Sequence, residues 1–236
     1  MRELALRRWR TIHRSALPYG VGAFVLATWG VLYQTVRSTP DAVMVVFFVS
    51  GLIALAIGAG AIARDFESGV MVLDRAHGAR PAELVLGTTI YACTVVLAAT
   101  LFAAALTFAA APQYFELDAL RLLGVVAVGL IGWVALLVFL GTFVPGSGNS
   151  AIAFALVVIL NPVSRIDQPE ASFAAQASAR LTAALFPPEA ALGFLRAGET
   201  ASAWRPIMSL AFSTVFFLGL ASGVVAQREP ARGWKR

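Results

Sequence analysis

The sequence predicts an all-α polytopic membrane protein: one transmembrane domain over residues 1–236, with six spanning helices. It also predicts an amphipathic helix at the N-terminus and a short helix between spans two and three. Three observations carry this reading. Of 236 residues, 59% are hydrophobic and 13% are charged, against about 25% charged in an ordinary soluble domain. The mean hydropathy is +0.79, and so few polar side chains cannot cover a water-soluble globule. The apolar residues gather into long runs, and the basic residues gather between alternate runs.

A helix needs about 20 apolar residues to cross the bilayer core. The first candidate covers 16–36. It is too long for a cleavable signal, and no small-residue cleavage site with a soluble domain follows it. The second covers 43–62. The third, 84–111, is long enough to tilt or kink. The fourth covers 119–144, with Arg121 near its start. The fifth, 150–163, is short, and the sixth covers 206–226. The span interiors carry no Asp, Glu, Lys or His. Residues 1–15 set Leu4, Leu6, Trp9 and Ile12 among arginines, the pattern of a helix lying on the membrane face. Residues 164–205 are Ala-rich and broken by Pro169, Pro187 and Pro188. They read as an external loop with short helices.

The basic residues set the orientation. Arg2, Arg7, Arg8, Arg10 and Arg14 precede span one, and Arg64, Arg75 and Arg80 lie between spans two and three. Arg228, Arg232, Lys235 and Arg236 close the chain, making twelve on one side against six on the other. Short cytoplasmic loops carry the excess of Lys and Arg, so both termini are expected in the cytoplasm. That bias, rather than nucleic-acid binding, accounts for the net charge of +5. Seventeen arginines against one lysine, with abundant alanine, suggest a GC-rich bacterial genome and a bacterial plasma membrane.

Several chemistries are excluded. The one lysine is Lys235, so no phosphate-cradling G-x-x-x-x-G-K-[ST] loop exists. Neither His13 nor His77 fits H-E-x-x-H, and both lie outside the apolar runs. One cysteine, Cys93, makes no disulfide framework. Four methionines and that cysteine do not suggest a soft-metal site. A proton-coupled carrier usually buries an acid or histidine at mid-membrane, and these spans have none. Residues 145–149, Pro-Gly-Ser-Gly-Asn, read as a turn. Gly51, Gly58 and Gly60 in span two, and Gly124, Gly129 and Gly132 in span four, permit close helix packing. The chain is expected not to be an enzyme, and to hold no cofactor or metal.

The informative stretch is 64–87. Eight ionisable side chains (Arg64, Asp65, Glu67, Asp74, Arg75, His77, Arg80, Glu83) crowd into it. Phe66, Val70 and Leu73 recur at i, i+4 and i+7, a helical stripe. A short amphipathic helix over 64–80 on the cytoplasmic face suits docking into a partner's groove. An ordinary solvated loop fits the same residues.

This stretch resembles the cytoplasmic motif of ABC-2 type transporter permeases, the membrane-spanning subunits of ATP-binding cassette exporters. There an acidic-x-Glu-x-Gly-Thr run follows span two, then a hydrophobic helix, a Pro-x-x-Arg turn and a Gly-Lys at span three. Asp65 and Glu67 match the acidic pair, Gly69 the glycine, Leu73 the following leucine, Arg80 the turn arginine, and Leu84 and Gly87 the entry. Val70, Gly78 and Thr88 stand where threonine, proline and lysine are usual. Along the rest of the chain, the basic N-terminus is similar to the family's elbow helix. The Pro187–Pro188 loop and the Gln227–Arg228–Glu229 ending are also similar to their counterparts.

The resemblance implies a permease that pairs with a second permease subunit, a copy or a related chain. It implies that 64–80 is a coupling helix bound by a separate ATP-binding cassette subunit, which would carry the ATP and Mg. Asp65, Phe66, Glu67, Gly69, Leu73, Arg75 and Arg80 would then be partner-binding residues. The substrate is not readable: lipids, hydrophobic drugs, peptides and glycolipids all fit neutral spans. Two other classes compete. One is a non-transporting membrane scaffold or assembly factor, which could use the same docking helix. The other is a lipid-modifying enzyme built on Asp74, His77 and Arg80, whose order does not match D-G-x-x-A-R.

Overall fold

Where water is absent, a segment must satisfy its own backbone N–H and C=O groups, and a helix does so within itself. The computed structural model describes residues 17–67, 69–144, 148, 152 and 204–227, and the ordered elements among them are helical. They are α1 (Leu17–Leu32), α2 (Thr39–Glu67), α3 (Val70–Ala76), α4 (Pro81–Ala110), α5 (Leu117–Gly141) and α6 (Trp204–Gln227). Single 3-10 turns at Tyr33–Thr35 and Pro112–Tyr114 follow α1 and α4. Four stretches are long and apolar enough to cross a membrane: Thr39–Ile62, Pro81–Ala110, Leu117–Gly141 and Leu210–Gln227. This is the architecture of a multi-pass membrane protein. The described part of α1 has 16 residues and reaches about 24 Å, short of the roughly 30 Å hydrocarbon core. The expected helix over 1–15, the fifth span over 150–163 (Ile152 apart) and the loop over 164–203 lie outside the described residues.

The ends are set by local chemistry. At α2, the Ser38 hydroxyl accepts from the Asp41 N–H at 3.3 Å, and the Asp41 carboxylate accepts from the Ser38 hydroxyl at 2.8 Å and the Arg37 N–H at 3.1 Å. This reciprocal box, with Pro40 in the first turn, starts the helix four residues before the expected Val43. At α4, Pro81 occupies the first position and the Glu83 carboxylate accepts from the Arg80 N–H at 3.1 Å. Glu83 therefore opens the helix, where the sequence reading left it in the loop before Leu84. α5 opens after Glu116 with Asp118 in its first turn, a favourable place for an acid.

Hydroxyls inside the spans are mostly satisfied by their own helix. Thr89, Thr94, Thr100 and Thr107 each donate to the carbonyl four residues back, at 2.8 Å in every case. Thr214 and Ser222 of α6 do the same. Such back-bonding spares a buried hydroxyl the cost of an unmade bond. Ser50, fully buried in α2, has no partner for its Oγ.

α2 is the centre of the bundle, packed against α4 on one side and α5 on the other. α6 packs on α5 and α4, and α1 lies against α2 and α4. The core comes from Val43, Val46, Ile53 and Ile57 of α2, Val85, Val96 and Ala103 of α4, Val126, Leu130 and Val134 of α5, and Leu210 and Ala221 of α6. Lipid tails are as apolar as leucine, so close fit rather than water exclusion holds such helices together. Gly58 supplies that fit. A Cβ there would stand 3.0 Å from Leu137 Cδ1 and 3.2 Å from Leu137 Cβ. Gly51 and Gly124, also expected as packing glycines, face open space. α1 is tied to the end of α4 by polar contacts. The Trp29 Nε1–H donates to Thr107 Oγ1 at 3.0 Å, and the Tyr33 hydroxyl donates to the Ala110 carbonyl at 2.9 Å.

Candidate partner-docking site

α2 does not stop at the apolar boundary. After Ile62 it continues through Ala63, Arg64, Asp65, Phe66 and Glu67. The chain then turns at Gly69, whose φ of 72° lies in the left-handed region that only glycine adopts without cost. α3 follows, seven residues long, and ends at His77. Gly78, with a φ of 87°, turns the chain again toward Arg80 and Pro81. The expected single helix over 64–80 is thus two pieces: residues 64–67 end α2, and 70–76 form α3. The physical reason is Gly69. Its left-handed backbone breaks the helical phase that the Phe66, Val70 and Leu73 spacing implied.

The expected site residues divide into inward and outward groups. Asp65 is half-buried, and its Oδ2 lies 3.2 Å from the Thr88 hydroxyl of α4, whose single proton is shared with the Leu84 carbonyl at 2.9 Å. The contact brings α2 and α4 together inside the chain. Phe66 is half-buried and packs on the core. Glu67 is the last residue of α2. Gly69 is the residue before α3, and its carbonyl accepts from the Leu73 N–H at 3.1 Å. Arg75 donates from Nη1 to the Val225 carbonyl of α6 at 3.2 Å, across 150 residues of sequence. Arg80 is exposed, and its backbone opens α4. Leu73 is 59% exposed, the most open of the apolar side chains on α3.

α3 is therefore a two-sided element. Met71, 2% exposed, and the Arg75 bond fix one side to the bundle. Val70, Val72 and Leu73 stand exposed on the other. The His77 Nδ1–H donates to the Leu73 carbonyl at 2.7 Å, closing the last turn. Asp74 buries its Oδ2 without a hydrogen-bond partner. The ends of α2 and α6, the start of α4 and all of α3 lie together on one face of the bundle.

Sequence reasoning missed three participants. Thr88 was noted only as a departure from a family pattern. The signal was there: a threonine about two turns into an apolar helix, close in sequence to an acidic helix end. Met71 gave no signal apart from its neighbours. The Val225 carbonyl is a backbone group, invisible in a list of side chains. Among the described residues, no group of three His, Cys, Asp or Glu side chains could hold a metal ion. The arrangement offers a shaped apolar surface with a polar surround, which is suited to binding. Comparison with models of known protein families and with curated proteins returned no match.

Proposed function

We propose that this chain is the permease subunit of an ATP-driven ABC exporter, with α3 as the helix that docks a separate ATP-binding subunit. One observation carries the reading: α3 is braced from within by Met71 and Arg75 while Val70 and Leu73 stand 38% and 59% exposed. A helix of seven residues is far too short to be stable by itself. Bracing it to the bundle while leaving its leucine open is economical only if something seats on that leucine. Groove binding of short amphipathic helices uses such anchors. The face is the cytoplasmic one in this reading, by the weight of arginine around it.

The connectivity supports the six-span count. α5 ends on the α3 face, and α6 starts on the opposite face and finishes beside Arg75. In this reading the chain crosses once more between α5 and α6, and 150–163 is the apolar run in the sequence there. The permease would act as a dimer, with its substrate path along neutral helices. Hydrolysis would belong to the partner, since this chain has no P-loop lysine.

Affinity purification from native membranes in mild detergent tests the proposal. Tagged wild-type chain should bring down a P-loop protein in stoichiometric amount, identified by mass spectrometry. Leu73→Glu puts a charge on the exposed side of α3, away from Met71, and should remove that partner while the chain stays in the membrane. Recovery of the wild-type chain alone, under conditions that keep other ATP-driven complexes intact, would replace the permease with a scaffold or assembly factor.

A further inference from the structure

We infer that Arg75 is a positioning residue that clamps α3 to α6 at Val225, so that movement of the docked helix is handed to α6. The inference rests on the docking role proposed for α3. It goes beyond it by assigning Arg75 inward, away from the partner, and by naming the span that receives the motion.

Val225 lies in the last described turn of α6. The Arg75 guanidinium donates to its carbonyl at 3.2 Å. Arg75 makes at least one further interaction. The planar fork of arginine presents several N–H donors in a fixed geometry, which an ammonium does not.

α3 is jointed at both ends. Gly69 and Gly78 are the residues with positive φ among those described, and they bracket α3. The seven-residue helix between them can tilt as a unit while α2 and α4 stay packed. Among the four described stretches long enough to span, that of α6 is the least enclosed: 28% of it is buried, against 44% for α4, 65% for α2 and 67% for α5. A displacement of α3 therefore meets least resistance along the Arg75–Val225 link. The core helices α2 and α5 are locked by the Gly58–Leu137 contact. Phe217 of α6 stacks on Phe139 of α5 with centroids 5.8 Å apart, which gives α6 a surface to pivot on.

The test uses the full chain in lipid nanodiscs in a Cys93→Ala background. Spin labels at the exposed positions 76 and 227 report the separation of α3 from the end of α6. The unmodified clamp should give one narrow distance distribution. Arg75→Ala should broaden or lengthen it, and Arg75→Lys should restore part of the narrowing. An unchanged distribution in Arg75→Ala overturns the clamp, whether or not an ATP-binding partner exists. The second arm uses the complex recovered with its partner. Arg75→Ala should keep the partner at wild-type stoichiometry while transport-coupled ATP hydrolysis falls about threefold to thirtyfold, the range of coupling mutants remote from either ligand. Loss of the partner itself would make Arg75 a docking residue and overturn the hand-over to α6. Absence of any P-loop partner with the wild-type chain would remove the permease reading and the hand-over with it, and leave the clamp to be decided by the distance measurement.

Discussion

Gly58→Ala should loosen the bundle at its centre, and the size of the effect follows from the geometry. The new methyl carbon would lie 3.0 Å from Leu137 Cδ1 and 3.2 Å from Leu137 Cβ. Carbon pairs settle at about 3.5–4.0 Å. Leu137 Cδ1 can swing clear by a rotamer change, but Leu137 Cβ rides on the α5 backbone and cannot. α2 and α5 must therefore part locally by about 0.3–0.8 Å, which forfeits up to roughly a third of each neighbouring contact along the seam. Overpacking of this kind costs about 1–3 kcal/mol. Alanine returns roughly 0.5–1 kcal/mol of helix stability over glycine, leaving a net loss of about 0–2.5 kcal/mol. Gly51→Ala is the matched control, since a Cβ there meets nothing within 4 Å. It should be neutral or stabilising by up to about 1 kcal/mol. Denaturant unfolding of the purified chain in bicelles measures both. If Gly58→Ala and Gly51→Ala unfold alike, the α2–α5 contact does not hold the bundle and the reasoning fails.

Three further outcomes are expected. Thr88→Val keeps the shape of the side chain but removes the hydroxyl shared between Asp65 and the Leu84 carbonyl; the same unfolding assay should register a loss of about 1 kcal/mol. Gly69→Ala forces a left-handed backbone on a residue with a Cβ, at about 1–2 kcal/mol. Limited proteolysis between residues 64 and 80 should accelerate while the spans stay protected. Tyr33→Phe deletes the bond to the Ala110 carbonyl and should lower stability by about 0.5–1.5 kcal/mol, with quenching of Trp29 fluorescence by lipid-borne bromine changing as α1 comes away from α4.

The apolar runs declared the spans because a bilayer leaves a segment so few options. The two long central runs were read to within a few residues. The errors fell where one polar residue belongs to the helix it starts. Asp41 and Glu83 look like loop residues in a composition scan, yet each accepts the backbone N–H that opens its helix. The polar stretch after span two was legible as a place of interest from its charge density. Its division at Gly69 was not, because a stripe at i, i+4 and i+7 survives on paper any turn inserted within it. Leu73, one of the seven residues expected to meet a partner, stands exposed on α3. Asp65 and Arg75 were assigned toward a partner, whereas both make contacts within the chain. Charge alone does not tell which way a residue points. That depends on which helix ends lie nearby with unmet carbonyls and hydroxyls.

The unmet carbonyls at helix ends explain the placement of the polar side chains that matter most. In the apolar middle, threonines are absorbed by their own helices. At the far end, Tyr33 caps the last carbonyl of α4 and Trp29 reaches Thr107 one turn earlier. At the near end, Arg75 donates to the Val225 carbonyl of α6. Each end of the bundle is thus stitched by a side-chain donor from a neighbouring element. Long-range polar contacts of this kind are directional, and they fix the ends of elements whose middles are held by close apolar fit. A bundle built this way bends where its end stitches are jointed. The far stitch joins α1 through a 3-10 turn and a proline-capped start of α2. The near stitch joins α3, which has a left-handed glycine on either side. Of the two, the near end has the freer joint.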